Sequence, residues 1–186
     1  MLEHVLSEDW ENGGFGLYIH WPFCAAKCPY CDFNSHVRNN IDQKQWLKSY
    51  LSEINRFSKN TSSRFLDSVF FGGGTPSLIE PWVINDILNE IQKHWTTKDN
   101  FEVTLEANPG SVDAKNFKAY KSAGVNRISI GIQSLNEKDL KEIKSKLKIP
   151  LNLEIAATKE MLKIAKKQKP LFICIVPEKR EEITTE

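Results

Sequence analysis

Cys24, Cys28 and Cys31 stand in a C-x3-C-x2-C pattern that gathers three of the chain's four cysteines into eight residues. Thiolate is a soft ligand suited to zinc, copper(I) or iron–sulfur clusters. Three of them this close can reach one metal centre without help from distant parts of the chain. A 4Fe-4S cluster ordinarily takes four cysteines, so three would leave one iron open to a different ligand. A structural zinc site is the rival reading, and it needs a closed tetrahedron of four protein ligands. The second C-x2-C pair of a zinc ribbon is missing, so His20 or His36 would have to supply the fourth ligand. A disulfide framework needs an oxidising compartment, and the acidic lead from Met1 to Trp10 has no signal-peptide core.

These cysteines follow a strand expected over Phe15 to His20, rich in aromatic and β-branched residues. A helix between Ile41 and Lys59 is expected from the spacing of Leu47, Tyr50, Leu51, Ile54 and Phe57. The second strand, Leu66 to Phe71, ends in Gly72-Gly73-Gly74-Thr75-Pro76. Pro81 then opens a helix, where its missing N–H costs nothing, and Val83, Ile84, Ile87, Leu88, Ile91 and Trp95 form its apolar face. The third strand, Phe101 to Ala107, is closed by the turn Asn108-Pro109-Gly110, and Ser111 caps a helix that stops at Gly124. A fourth strand spans Asn126 to Ile132, and Asn136 opens a further helix. Beyond it, Leu153 to Lys167 reads as one helical stretch. Leu171 to Val176 reads as an apolar run in which Cys174 is a small buried hydrophobe.

Such alternation implies parallel strands with right-handed crossovers, an α/β chain built from βα units. Ligands gather at the carboxyl ends of strands in parallel barrels. The cysteine loop, the triple glycine, Glu106 and Gln133 all fall at strand ends by this reading. Glycines at that place let a ligand lie against bare backbone.

With 186 residues the chain can bury a real core, and 40% apolar with 26% charged residues is the profile of a globular protein. A formal net charge of +1 gives no argument for nucleic acid or an anionic membrane surface. No apolar run approaches a membrane span. The expected location is the cytoplasm, a reducing space.

Tyr18-Ile19-His20-Trp21-Pro22-Phe23-Cys24 through Cys31-Asp32-Phe33-Asn34-Ser35 resembles the radical S-adenosylmethionine (SAM) superfamily. Within it the match is to the oxygen-independent coproporphyrinogen III oxidase-like branch. The true dehydrogenase of that branch carries a further cysteine two residues after the third. Phe33 stands there instead, as in the HemW-type haem chaperones. The resemblance implies a TIM-like (β/α) barrel with a 4Fe-4S cluster on Cys24, Cys28 and Cys31 and SAM on the open iron. It implies SAM contacts from Gly73, Gly74 and Thr75 to the methionyl amino group, from Glu106 to the ribose hydroxyls, and from Gln133. Tyr18 would lie near SAM and Tyr30 against its adenine. A reduced cluster would pass one electron to the sulfonium and release a 5′-deoxyadenosyl radical. The expected partners are SAM, haem or a porphyrin, and an electron donor such as flavodoxin or ferredoxin.

The resemblance runs from Gly16 to Leu140. The family's Leu-Gly-Arg-x-His segment is replaced by Lys141 to Lys146, and no His-Asn-x-x-Tyr-Trp motif occurs. The organisation read from the chain is therefore a lead (1–14), a partial radical SAM core (15–141) and a divergent lysine-rich tail (142–186). The barrel is expected to be truncated before its last strands and C-terminal domain, with four or five parallel strands, and the product inactive. The alternatives are the coproporphyrinogen dehydrogenase itself or a structural zinc module.

Overall fold

A computed structural model describes residues 10–26, 34–107, 114–131 and 151–176. Six strands run parallel in one sheet, laid down in chain order. They are β1 (Gly16–Trp21), β4 (Phe65–Gly73), β5 (Thr96–Ala107), β6 (Arg127–Gly131), β7 (Leu151–Ala156) and β8 (Phe172–Val176). Two-residue strands β2 (Phe23–Cys24) and β3 (His36–Val37) pair on their own beyond β1. The described helices are α1 (Trp10–Gly13), α2 (Gln43–Thr61), α3 (Pro81–His94), α4 (Ala114–Ser122) and α5 (Lys159–Gln168).

Each boundary has a local cause. The Asp42 carboxylate accepts from the Gln45 N–H at 3.0 Å and so caps α2. Pro81 occupies the first turn of α3, where its missing donor is not needed. After α4 the chain leaves through Gly124 at φ +110°, a left-handed conformation that favours glycine.

Alternation along the strands divides the sheet into two faces. Ile19, Trp21, Val69, Phe71, Val103, Leu105, Ile128 and Ile130 are buried and form one core with the apolar sides of the helices, Val83, Ile84, Ile87 and Ile91 of α3 foremost. The other face is polar and aromatic. Register aligns Tyr18, Phe70, Thr104 and Arg127 in one cross-strand row on it, and pairs His20 with Gly72 and Glu106 with Ser129 in the next.

The chain after residue 150 departs from the expected pattern. The stretch expected as one helix from Leu153 to Lys167 begins as strand β7, because Leu151, Leu153 and Ile155 alternate with Asn152 and Glu154. The helix starts only at Lys159, where the Thr158 hydroxyl accepts from the Met161 N–H at 3.2 Å. β7 and β8 bring the sheet to six strands rather than four or five. Cys174 is exposed, not buried. It lies on β8, which among the described residues pairs with β7 and stands last in the sheet.

Candidate functional site

The carboxyl ends of β1 and β4 meet around the glycines. β1 runs through Pro22 into Phe23 and Cys24, and Cys24 is 7% exposed. Three consecutive amides of the glycine segment donate away from it. The Gly73 N–H reaches Glu106 Oε2 at 3.1 Å, the Gly74 N–H the Trp21 carbonyl at 2.7 Å, and the Thr75 N–H the Phe23 carbonyl at 2.8 Å. The segment thus fastens the strand that carries Cys24 to the strand that carries Glu106.

Glycine is needed here by close approach. A Cβ on Gly72 would stand 2.7 Å from the Tyr18 ring, and one on Gly73, whose φ is +111°, 2.7 Å from the His20 ring. On Gly74 it would stand 2.6 Å from the Phe23 carbonyl oxygen and 3.0 Å from Cys24 Sγ. The space freed by the missing side chains is taken by the cysteine strand itself.

The foot of the cysteine loop is closed by three bonds. The His36 N–H donates to the Pro22 carbonyl at 2.7 Å and the Arg38 N–H to the Cys24 carbonyl at 3.3 Å. The His20 Nε2 lies 3.2 Å from the Asn34 carbonyl, an acceptor, so this nitrogen carries the proton. His20 thereby ties the outgoing end of the loop to β1, and its own carbonyl accepts from the Tyr50 hydroxyl of α2 at 2.7 Å. Burial raises the Tyr50 pKa above its ordinary value.

Tyr18 is 59% exposed, with its ring stacked on Phe70 at 5.9 Å and tilted against His20 at 6.0 Å. Partial burial, and then the negative charge of Glu106, push its hydroxyl pKa up. Glu106 is half-buried rather than a solvated rim charge. Behind the glycines, the Tyr120 hydroxyl of α4 donates to the Ser77 carbonyl at 2.6 Å and lies 3.1 Å from that of Ile79. Burial, and then Glu80, push its pKa up to about 12.

Tyr18, Cys24, Gly73, Gly74, Thr75 and Glu106 are thus gathered at neighbouring strand ends. Cys28, Tyr30, Cys31 and Gln133 lie outside the described residues. His36 is exposed on β3. Sequence reasoning missed the anchoring roles of His20, Tyr50 and Tyr120. The hydroxyls of both tyrosines were hidden in apolar helix patterns.

The radical SAM superfamily model matches residues 18–185, nearly the whole described sheet. The chain belongs to the radical SAM superfamily. It is 48% identical over 132 residues to the heme chaperone HemW of Haemophilus influenzae, covering 68% of this chain and 34% of that protein. It is 40% identical over 124 residues to radical S-adenosyl methionine domain-containing protein 1, mitochondrial, of Bos taurus, covering 67% and 28%. The chain therefore spans about a third of the length of the curated relatives it matches. Among solved structures, coproporphyrinogen III oxidase HemN from Escherichia coli superposes with a TM-score of 0.69 at 20% identity, covering 86% of this chain and 43% of HemN. anSMEcpe with bound AdoMet superposes with a TM-score of 0.59 at 16% identity, covering 86% and 50%. Both share the α/β fold. A 4Fe-4S cluster and SAM are the cofactors that membership of the superfamily implies.

Proposed function

We propose that this chain is the cluster- and SAM-binding part of a HemW-type radical SAM protein. Cys24, Cys28 and Cys31 would hold the 4Fe-4S cluster, with SAM bound against Gly73, Gly74, Thr75, Glu106 and Gln133 and flanked by Tyr18 and Tyr30. The observation that carries this reading is the packing of buried Cys24 against Gly74, beside a Gly73 amide bonded to Glu106. A thiolate donor and the candidate SAM contacts are then parts of one hydrogen-bonded unit. The donor set also fits the group, since three clustered thiolates suit iron and sulfide.

When bound, the cluster would supply a single electron to the SAM sulfonium. The chain's own residues bind and orient. The Gly74 and Thr75 amides stay engaged with Trp21 of β1 and Phe23 of β2, so the cysteine strand cannot drift from the nucleoside side of the site. The Glu106 carboxylate offers oxygen acceptors of the kind that vicinal ribose hydroxyls need. Tyr18 presents an exposed ring on the same face. Haem or porphyrin handling is assigned by similarity to HemW, with flavodoxin or ferredoxin as electron donor and a reducing compartment such as the cytoplasm as location.

The test is anaerobic reconstitution with iron and sulfide, followed by reduction in the presence of SAM. The reading expects about four irons per chain, a brown chromophore, and release of 5′-deoxyadenosine, all lost in Cys28→Ala. A cluster without 5′-deoxyadenosine would instead bear out the expectation of an inactive product. Stoichiometric zinc in a colourless protein that ignores SAM would overturn the assignment.

A further inference from the structure

Ser35 has a hydroxyl that is buried and has no hydrogen-bond partner among the described residues, at a residue 6% exposed. A buried hydroxyl loses its hydration on folding, and in native proteins it almost always finds an acceptor. Its position says where that acceptor belongs. Asn34, its neighbour, is held by His20, and His36, on its other side, donates to Pro22. Ser35 is therefore fixed at the foot of the cysteine loop, four residues after Cys31.

Register gives its side. Phe23 pairs with His36 and Cys24 with Val37 in the small parallel sheet. Side chains alternate along a strand, so continuing the pattern back by one residue puts Ser35 on the face of Val37 and Cys24. That is also the face on which Cys24 Sγ meets the Gly74 backbone. The neighbours that β2 and β3 supply on that side are apolar or sulfur-bearing.

We infer that Ser35 is a positioning residue whose O–H donates to a sulfur of the cluster, either a cysteine thiolate or a bridging sulfide. This rests on the cluster assignment made above. Hydrogen bonds to the sulfurs are one of the protein's levers on the reduction potential of such clusters. The donated bond favours the more negative, reduced state. The hydroxyl thus makes the cluster easier to reduce.

The experiment is an anaerobic redox titration of the reconstituted full chain, following the reduced cluster by electron paramagnetic resonance. Iron content and visible colour of the wild-type chain test the cluster assignment separately. With the cluster present, Ser35→Ala should titrate at a more negative midpoint than wild type at equal iron content, and Ser35→Thr should return towards wild type. An unchanged midpoint in Ser35→Ala overturns the inference and leaves the cluster assignment standing. If Ser35→Ala takes up no iron, Ser35→Thr and Ser35→Val, nearly equal in shape and differing in one hydroxyl, give the deciding comparison. Equal behaviour of that pair overturns the inference. Retention of iron, or a less negative midpoint, in the threonine variant alone supports it.

Discussion

The main-chain N–H of Gly73 donates to the carboxylate of Glu106 across 3.1 Å, joining the ends of two neighbouring strands through a residue of each. Removing the acceptor strands the amide of a buried residue. Glu106→Ala should lower unfolding free energy by about 1–3 kcal/mol, whereas Glu106→Gln, which keeps an oxygen in place, should stay within about 1 kcal/mol. Urea denaturation of the three proteins checks this.

The glycines make a sharper contrast. Gly73 sits at φ +111° with the His20 ring where a Cβ would go, and Gly13 has nothing within 4 Å. Gly73→Ala should cost at least the roughly 1–3 kcal/mol of a disfavoured backbone conformation. It should also break the His20–Asn34 tie and reduce iron uptake. Gly13→Ala should change stability by about 0.5 kcal/mol or less. Thermal unfolding and iron content of the two variants decide the matter.

Tyr120 holds the segment after the glycines by two carbonyls, those of Ser77 and Ile79. Tyr120→Phe keeps the ring and deletes the donor, at an expected cost of about 1–3 kcal/mol. A loss of under about 0.5 kcal/mol, read by urea denaturation, would mean that the ring alone does the anchoring.

Glu90 on α3 accepts from Lys93 at 2.8 Å and from Asn55 of α2 at 2.9 Å, with His94 at 3.3 Å. These bonds, that from Lys93 first, lower its pKa to about 2. The unfolded chain therefore takes up this proton before the folded one does. The stabilisation is complete above the ordinary carboxylate pKa and is lost as pH falls towards about 2. Glu90→Gln should flatten that acid limb in urea titrations and leave its shape unchanged at neutral pH.

Among the described residues β8 is an apolar edge, with Ile173 and Ile175 exposed by 46% and 52%. Unpaired strand edges of this kind template association. Ile173→Lys with Ile175→Lys should shift the chain towards monomer in sedimentation velocity, without affecting cluster uptake at the opposite end of the sheet.

Strand ends carrying chemistry were legible because they follow from periodicity and punctuation. Gly72 to Thr75 and Glu106 stop apolar runs, and parallel alternation brings such stops to one edge. The bonds that hold the site were not legible. Tyr50 and Tyr120 sit among apolar positions on α2 and α4, yet their hydroxyls reach carbonyls 30 and 43 residues away. No local pattern encodes that reach. Leu153 to Ala156 was read into the helix because the six residues of alternation in β7 are too few to outweigh the helical run that follows. Cys174 looked like core because its run is apolar. Exposure depends on whether a strand ends a sheet, and that is settled by distant pairing.

The order of strands carries a consequence for synthesis. Each strand of the main sheet lies beside the one made just before it, from β1 to β8. Once Ala107 has left the ribosome, Tyr18, Gly73 and Glu106 are present on adjoining strands and Cys24 on the short strand that follows β1, and the bonds described between these segments have both partners translated. Domains generally fold as the chain emerges. On the cluster assignment proposed above, the three cysteines would be open to metal on the nascent polypeptide, and Gln133, the last of the proposed SAM contacts, would follow after β6.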